Sequence, residues 1–460
     1  MTEAPSQSNT TGPLRVAVVG AGPAGIYASD ALMKSDVPVS IDLYEKMPAP
    51  FGLIRYGVAP DHPRIKGIVQ SLHKVMDKPE IRLIGNVEFG RDIDIDMLSK
   101  HYHAVIFSTG AVKDRKLGIP GIDLDGSYGA AEFVGWYDGN PDFPRTWPLT
   151  ARQVAVLGVG NVGLDVARVL AKTAEDLLPT EIPPNVHEGL LQNQAVEVHV
   201  FGRRGPAQAK FTPLELRELD HSQTIEVIVD PEDIDYDEGS EQARRESKIT
   251  DMVATIIQDW AIRDPGDRPH KLYLHFFESP VEVLGEDGKV VGLRTERTTL
   301  TGDGNVKGTG QFKDWPVQAV YRAVGYYSDP LPGLPFDDEA GVIPNEAGRV
   351  VGEHNAHIPG VFTTGWIKRG PVGLIGHTKG DANETVACLL ADHADGKLWA
   401  PERPDLESVD QYFADKGHEV TTWDGWYRLD AHERGLGEPQ GRERVKVVER
   451  EHMLDASREK

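Results

Sequence analysis

The 460-residue chain predicts an α/β fold in which two βαβ units of one design sit in separate domains, and three observations carry the prediction. Residues 16–19 form a short apolar run into Gly20-Ala21-Gly22-Pro23-Ala24-Gly25, followed by a helix-like stretch over 26–34 and a second strand over 39–44. The order returns at residues 154–157, which run into Gly158-Val159-Gly160-Asn161-Val162-Gly163, a helix over about 164–172 and a strand over 196–201. Residues 105–110 and 319–325 each read as a strand running into glycine, where the chain leaves one unit and returns to it.

In each glycine motif the first glycine makes the turn, the second lets a pyrophosphate approach the backbone, and the third lets the helix pack on the strand. The helix N-terminus favours the negative charge. Gly20, Gly22 and Gly25, with Ala24 at the helix start, therefore predict one dinucleotide site, and Val159, Gly160, Asn161 and Val162 a second. Boundaries near 111 and 325 give a disordered tail over 1–13, a discontinuous first domain of 14–110 and 326–460, and a second domain of 111–325.

Further along, Pro179, Pro183 and Pro184 with a more helical 186–192 lengthen the second crossover. From Asp230 to Glu241 the chain carries too much like charge to pack and reads as a solvated loop. Ile249, Met252, Val253, Ile256, Ile257 and Trp260 then recur at helical spacing, with Arg244, Arg245 and Lys248 at a basic beginning. Residues 281–284 and 290–300, joined through Glu286-Asp287-Gly288, predict antiparallel strands, and 377–392 a helix that buries Cys388.

Composition narrows the chemistry. The net charge of −23 repels nucleic acid and anionic lipid, so an acidic partner needs a local basic patch. The single cysteine, Cys388, excludes an intrachain disulfide, a dithiol redox pair and a cysteine-ligated iron–sulfur cluster, and no metal site is expected. No apolar stretch approaches the roughly 20 residues of a membrane span, and the expected location is cytoplasmic.

The residues at the end of the second strand of each unit separate the two sites. Glu45 ends the first and suits ribose hydroxyls without a 2′-phosphate, as in FAD; Gly202-Arg203-Arg204 ends the second and suits the 2′-phosphate of NADPH.

These motifs, together with Phe51-Gly52-Leu53-Ile54-Arg55-Tyr56-Gly57-Val58-Ala59-Pro60-Asp61-His62-Pro63, Arg203-Arg204-Gly205-Pro206 and Gly365-Trp366-Ile367-Lys368-Arg369-Gly370-Pro371, resemble adrenodoxin reductase and the bacterial NADPH–ferredoxin reductases. Trp423-Asp424-Gly425-Trp426 and Leu429-Asp430-Ala431 extend the resemblance into the tail. It implies two Rossmann-like domains in a glutathione-reductase-like arrangement, the discontinuous one binding FAD and the other NADPH. FAD would be held around Ala24 and by Glu45, Leu53, Val87, Trp366, Gly373, Leu374 and Ile375. NADPH would be held by Val159 to Val162, Arg203, Arg204, Glu215 and the backbone of Gly373, with His62 and Glu215 beside the nicotinamide. Trp366 stands where many two-domain flavoprotein reductases carry aspartate.

The implied reaction is hydride transfer from NADPH to FAD, then single-electron transfer to an acidic ferredoxin-type iron–sulfur protein. Hydride transfer needs the two rings within about 3–3.5 Å. The loop over 370–376 is expected to face the flavin, with His62 as hydrogen-bond or proton donor and Glu215 orienting the nicotinamide. Lys210, Arg217, Arg244, Arg245 and Lys248 are the docking candidates. Two alternatives stay open: an electron-input subunit of a glutamate-synthase-like complex, and a non-enzymatic NADPH-sensing module.

Overall fold

The computed structural model describes residues 12–458 except Leu374, and the side chains of Arg64 and Ile375 are also outside the described set. The tail expected over 1–13 thus lies almost wholly outside the described residues, as does the Leu374 contact.

The first unit is a sheet whose parallel strands run in the spatial order His357–Thr363, Ala104–Phe107, Leu14–Val19, Val39–Glu45, Ile81–Gly85. Arg349–Val351 and Asn345–Glu346 extend it antiparallel. Leu14–Val19 is buried at every position, as a strand covered on both faces must be. Helices Pro23–Met33 and Ile375–Ala394 cover one face through Ile26, Leu32, Val386 and Leu389.

The second unit is all parallel, in the order Ser127–Gly129, Ala319–Arg322, Gln153–Leu157, Glu197–Phe201, His270–His275, Ile225–Val229. Helices including Ala130–Tyr137, Asn161–Ala171 and Lys248–Ile262 pack on one face, and a three-stranded meander caps the other. Where the chain crosses between units, Lys113–Asp114 pairs antiparallel with Tyr326–Tyr327.

The C-terminal stretch fastens the two units together. Helices Trp423–Gly437 and Arg450–Arg458 pack on the first core through Trp426, Leu429 and Met453. Within Trp423–Gly437, Glu433 takes Arg55 bidentately at 2.9 and 2.5 Å. Between the helices, Arg442 donates to the carbonyls of Thr180 and Ile182, and the buried Lys446 ammonium reaches Glu181 at 2.8 Å and the Arg55 carbonyl at 2.6 Å.

Several local expectations are corrected. The acidic run is not one solvated loop: Asp233 is buried, accepting from the Phe276 amide and Arg297, and Glu238–Glu246 is a helix capped by Asp237. Like charge is tolerated there because arginines and backbone amides answer it. Of the basic beginning, Arg244 and Arg245 belong to that separate helix, which ends at Ser247, the N-cap of Lys248–Ile262, while Lys248 opens the second helix; Ile249 faces solvent and Val253, Ile257 and Trp260 face the core. The meander has a third strand, Val306–Trp315, whose polar residues gave no apolar alternation. The late helix starts at Ile375, and Cys388 is half-buried. No helix among the described residues is long and apolar enough to cross a membrane.

Candidate functional site

The two cradles are built alike. Gly20 (φ +111°) and Gly158 (φ +128°) make the turns, where a Cβ would lie 2.5 Å from the Ser108 carbonyl oxygen and 2.2 Å from that of Ala323. At Gly25 and Gly163 a Cβ would lie 2.0 and 2.5 Å from the carbonyl oxygens of Gly20 and Gly158, so helix and turn touch backbone to backbone. Gly22 and Gly160 are different: the nearest atom to a Cβ at Gly22 is 3.9 Å away, and at Gly160 nothing lies within 4 Å. Each is the N-cap of its helix and offers no side-chain cap, which leaves the first-turn amides for a ligand.

Between the units lies a cavity of about 1160 Å³, walled by Gly22, Glu45 and Trp366 from the first, by Val162 and Arg322 from the second, and by Tyr326 at the crossover. Gly20, Ala24, Leu53 and Val87 also line it, so of the residues expected to hold FAD the cavity brings together Ala24, Glu45, Leu53, Val87 and Trp366, with Gly25 in the packing behind them. Glu45 accepts the amides of Ala21 at 2.9 Å and Met47 at 3.0 Å, and burial raises its carboxyl above the usual range even so. The loop over 370–376 behaves differently from the cradle: Gly373 is exposed beside His377, and Trp366 and Thr378 form the wall on that side.

At the second cradle, Asn161 accepts the Thr212 amide at 3.0 Å, and the Lys210 amide donates to the Val159 carbonyl at 2.8 Å. Arg203 is exposed and Arg204 half-buried; among the described residues no ion pair engages either, nor Lys210, Arg217 or Lys248. Arg244 and Arg245 are different, neutralised by Asp251 at 2.9 Å and Glu238 at 2.5 Å.

His62 and Glu215 meet outside the cavity wall, where the units touch. His62 Nε2 lies 2.7 Å from Glu215 and 2.9 Å from Asp165, and Nδ1 lies 2.9 Å from Glu218. Arg168 and Asp61 complete the cluster. Burial opposes the charge on His62, but hydrogen bonds to Asp165 and Glu215 outweigh it and lift the imidazole from 6.5 to about 9. A folded value above the ordinary one gives stability that is complete below about pH 6.5 and is lost as pH rises through about 9. The stability difference between the protein and His62→Asn should therefore shrink by on the order of 3 kcal/mol across that window in denaturation scans; a constant difference would refute the assignment.

Asp61, Asp165, Arg168, Glu218 and Asp114 join the site without having been singled out by the sequence. Asp114 sits on the first crossover in the cavity wall, accepts the Ala131 amide at 3.0 Å, and burial pushes its carboxyl up to about 6. Asp165 and Arg168, spaced i, i+3 on the helix after the second glycine motif, were the available signal.

Among known proteins, the family model described as pyridine nucleotide-disulphide oxidoreductase matches residues 14–204. The chain is 39% identical over 457 residues to the NADPH-ferredoxin reductase FprA of Mycobacterium tuberculosis, spanning 96% of this chain and 98% of that protein. It is 37% identical over 459 residues to the mitochondrial NADPH:adrenodoxin oxidoreductase of Homo sapiens, spanning 96% and 91%. The solved structure of M. tuberculosis FprA in complex with NADPH superposes with a TM-score of 0.89 at 38% identity, over 97% of this chain and all of that one.

Proposed function

The chain belongs to the family of the NADPH-ferredoxin reductases and NADPH:adrenodoxin oxidoreductases, and on that premise we propose that it oxidises NADPH by hydride transfer to bound FAD and delivers electrons singly to a small iron–sulfur protein. The observation that carries this reading is the pair of like cradles with opposite endings, one closed by a carboxylate and the other by two guanidiniums that no ion pair engages among the described residues.

FAD, when bound, supplies the conversion between a hydride and single electrons. The first cradle fits it. Gly22 leaves open space and the first-turn amides of its helix for a pyrophosphate, Glu45 stands at the strand end for ribose hydroxyls, and Leu53, Val87 and Trp366 give an apolar wall. In this reading segments 14–110 and 326–460 hold FAD and segment 111–325 holds NADPH, its pyrophosphate on Val159 to Val162 and its 2′-phosphate on Arg203 and Arg204. His62 and Glu215 serve the nicotinamide end. The iron–sulfur partner is acidic and docks on the exposed Lys210, Arg217 and Lys248, which form no ion pair among the described residues; Arg244 and Arg245 contribute less because carboxylates already hold them.

Anaerobic mixing of the yellow holoprotein with NADPH should bleach its visible spectrum, and adding oxidised ferredoxin should restore the colour. A spectrum unchanged by NADPH would end the proposal.

A further inference from the structure

Two turns beyond the second cradle, helix Asn161–Ala171 carries Arg168, only 1% exposed. A buried guanidinium keeps its charge, so its donors need acceptors close by. Nε and Nη2 grip the two oxygens of Asp61 at 2.8 Å each, from one unit across to the other. Nη2 also reaches Asp165 at 2.8 Å and lies 2.6 Å from His62 Nε2, while Nη1 lies 3.4 Å from Glu215. Lys172, one turn further, holds Asp61 at 2.6 Å.

We propose that Arg168 is a positioning residue for hydride transfer: it fastens the nucleotide-binding helix of the second unit to the Asp61-His62 turn of the first, and so fixes where His62, Glu215 and the second cradle stand relative to the cofactor cavity. The inference rests on the hydride transfer proposed for this chain. Three features carry it. The contact is bidentate and crosses between the units, the same side chain shares the carboxylates Asp165 and Glu215 with His62, and the helix it anchors, capped by Gly160, brings Val162 into the cavity wall. The geometry also requires arginine, because a planar fork can take both Asp61 oxygens along one edge and turn its remaining nitrogen toward Glu215. A lysine would keep the charge and lose the fork. Position matters because a misplacement of about 1 Å between reacting groups costs on the order of 100-fold in rate.

The test is stopped-flow reduction of the holoprotein by NADPH, comparing the unaltered chain with Arg168→Lys and with the double variant Asp61→Asn, Arg168→Met, which removes the buried charge pair together. Flavin content and melting temperature normalise each sample. We expect the limiting reduction rate to fall roughly 10–100-fold in both variants, with the NADPH dissociation constant within about threefold because Arg203 and Arg204 are untouched. A purely structural or purely electrostatic role predicts instead that Arg168→Lys restores the limiting rate. If Arg168→Lys does not fold, the double variant gives the same readout with the bidentate pair removed as a unit, Asp165 and Glu215 keeping His62 as their partner. A limiting rate within about twofold of the unaltered chain, or a loss expressed only in NADPH affinity, overturns the role of Arg168. An unaltered protein that NADPH does not reduce overturns the reaction and this inference together.

Discussion

Replacing both Arg203 and Arg204 with alanine is expected to lower kcat/KM for NADPH by roughly 10²–10⁴-fold and to leave NADH within about threefold, because each guanidinium–phosphate contact contributes about 1.5–3 kcal/mol and NADH lacks the phosphate. The structure makes the effect large. Among the described residues no carboxylate competes for either side chain, so phosphate binding breaks no ion pair. The two strand ends are otherwise alike, each following a parallel strand next to a glycine cradle. Steady-state kinetics with both coenzymes decides the matter, and equal losses for the two would remove the basis for assigning the second site to NADPH.

The other large effect is on stability. Glu433→Ala should destabilise the first unit by about 3–5 kcal/mol, the cost of stranding a buried charge. Glu433 is wholly buried, accepts from Nη1 and Nη2 of Arg55, and accepts the Val447 amide at 2.9 Å. Its removal leaves Arg55 charged in an apolar setting beside Tyr56 and Trp426. Glu433→Gln keeps the shape and the amide acceptor, and should fall between the two. Urea unfolding followed by flavin release measures the series; an alanine variant as stable as the unaltered protein would mean that the ion pair contributes nothing net.

Much of this architecture was legible in the sequence because it is local. Strand, glycine turn and helix succeed one another within about thirty residues, and each glycine has a role set by its immediate neighbours. The endings Glu45 and Arg203-Arg204 were legible for the same reason. The Val306–Trp315 strand was not, since its residues are exposed and polar and its pairing is fixed by the neighbouring strand and not by its own pattern. Nor was the cluster around Arg168, whose contacts to Asp61 and His62 span 107 and 106 positions. A buried arginine looks like any surface arginine in composition, and only the tertiary fold shows which carboxylates surround it. The asymmetry of the basic patch was hidden likewise, because Glu238 and Glu241, which pair with Arg245 and Arg244, belong to the acidic run that read as a loop.

Because the first unit is split, the order in which the chain is made matters. Strand Ala104–Phe107 pairs with His357–Thr363, and the Thr363 hydroxyl bonds the Phe107 carbonyl across 256 positions. At about 5–20 residues per second, translation leaves that neighbour missing for roughly 10–50 s. The intervening unit is contiguous and can complete itself on the ribosome during the wait, while a buried parallel strand stands open on one side. Newly made chains thus pass through a half-assembled stage with an adhesive margin, and yield in a crowded cell depends on how well that margin is shielded until the last hundred residues emerge.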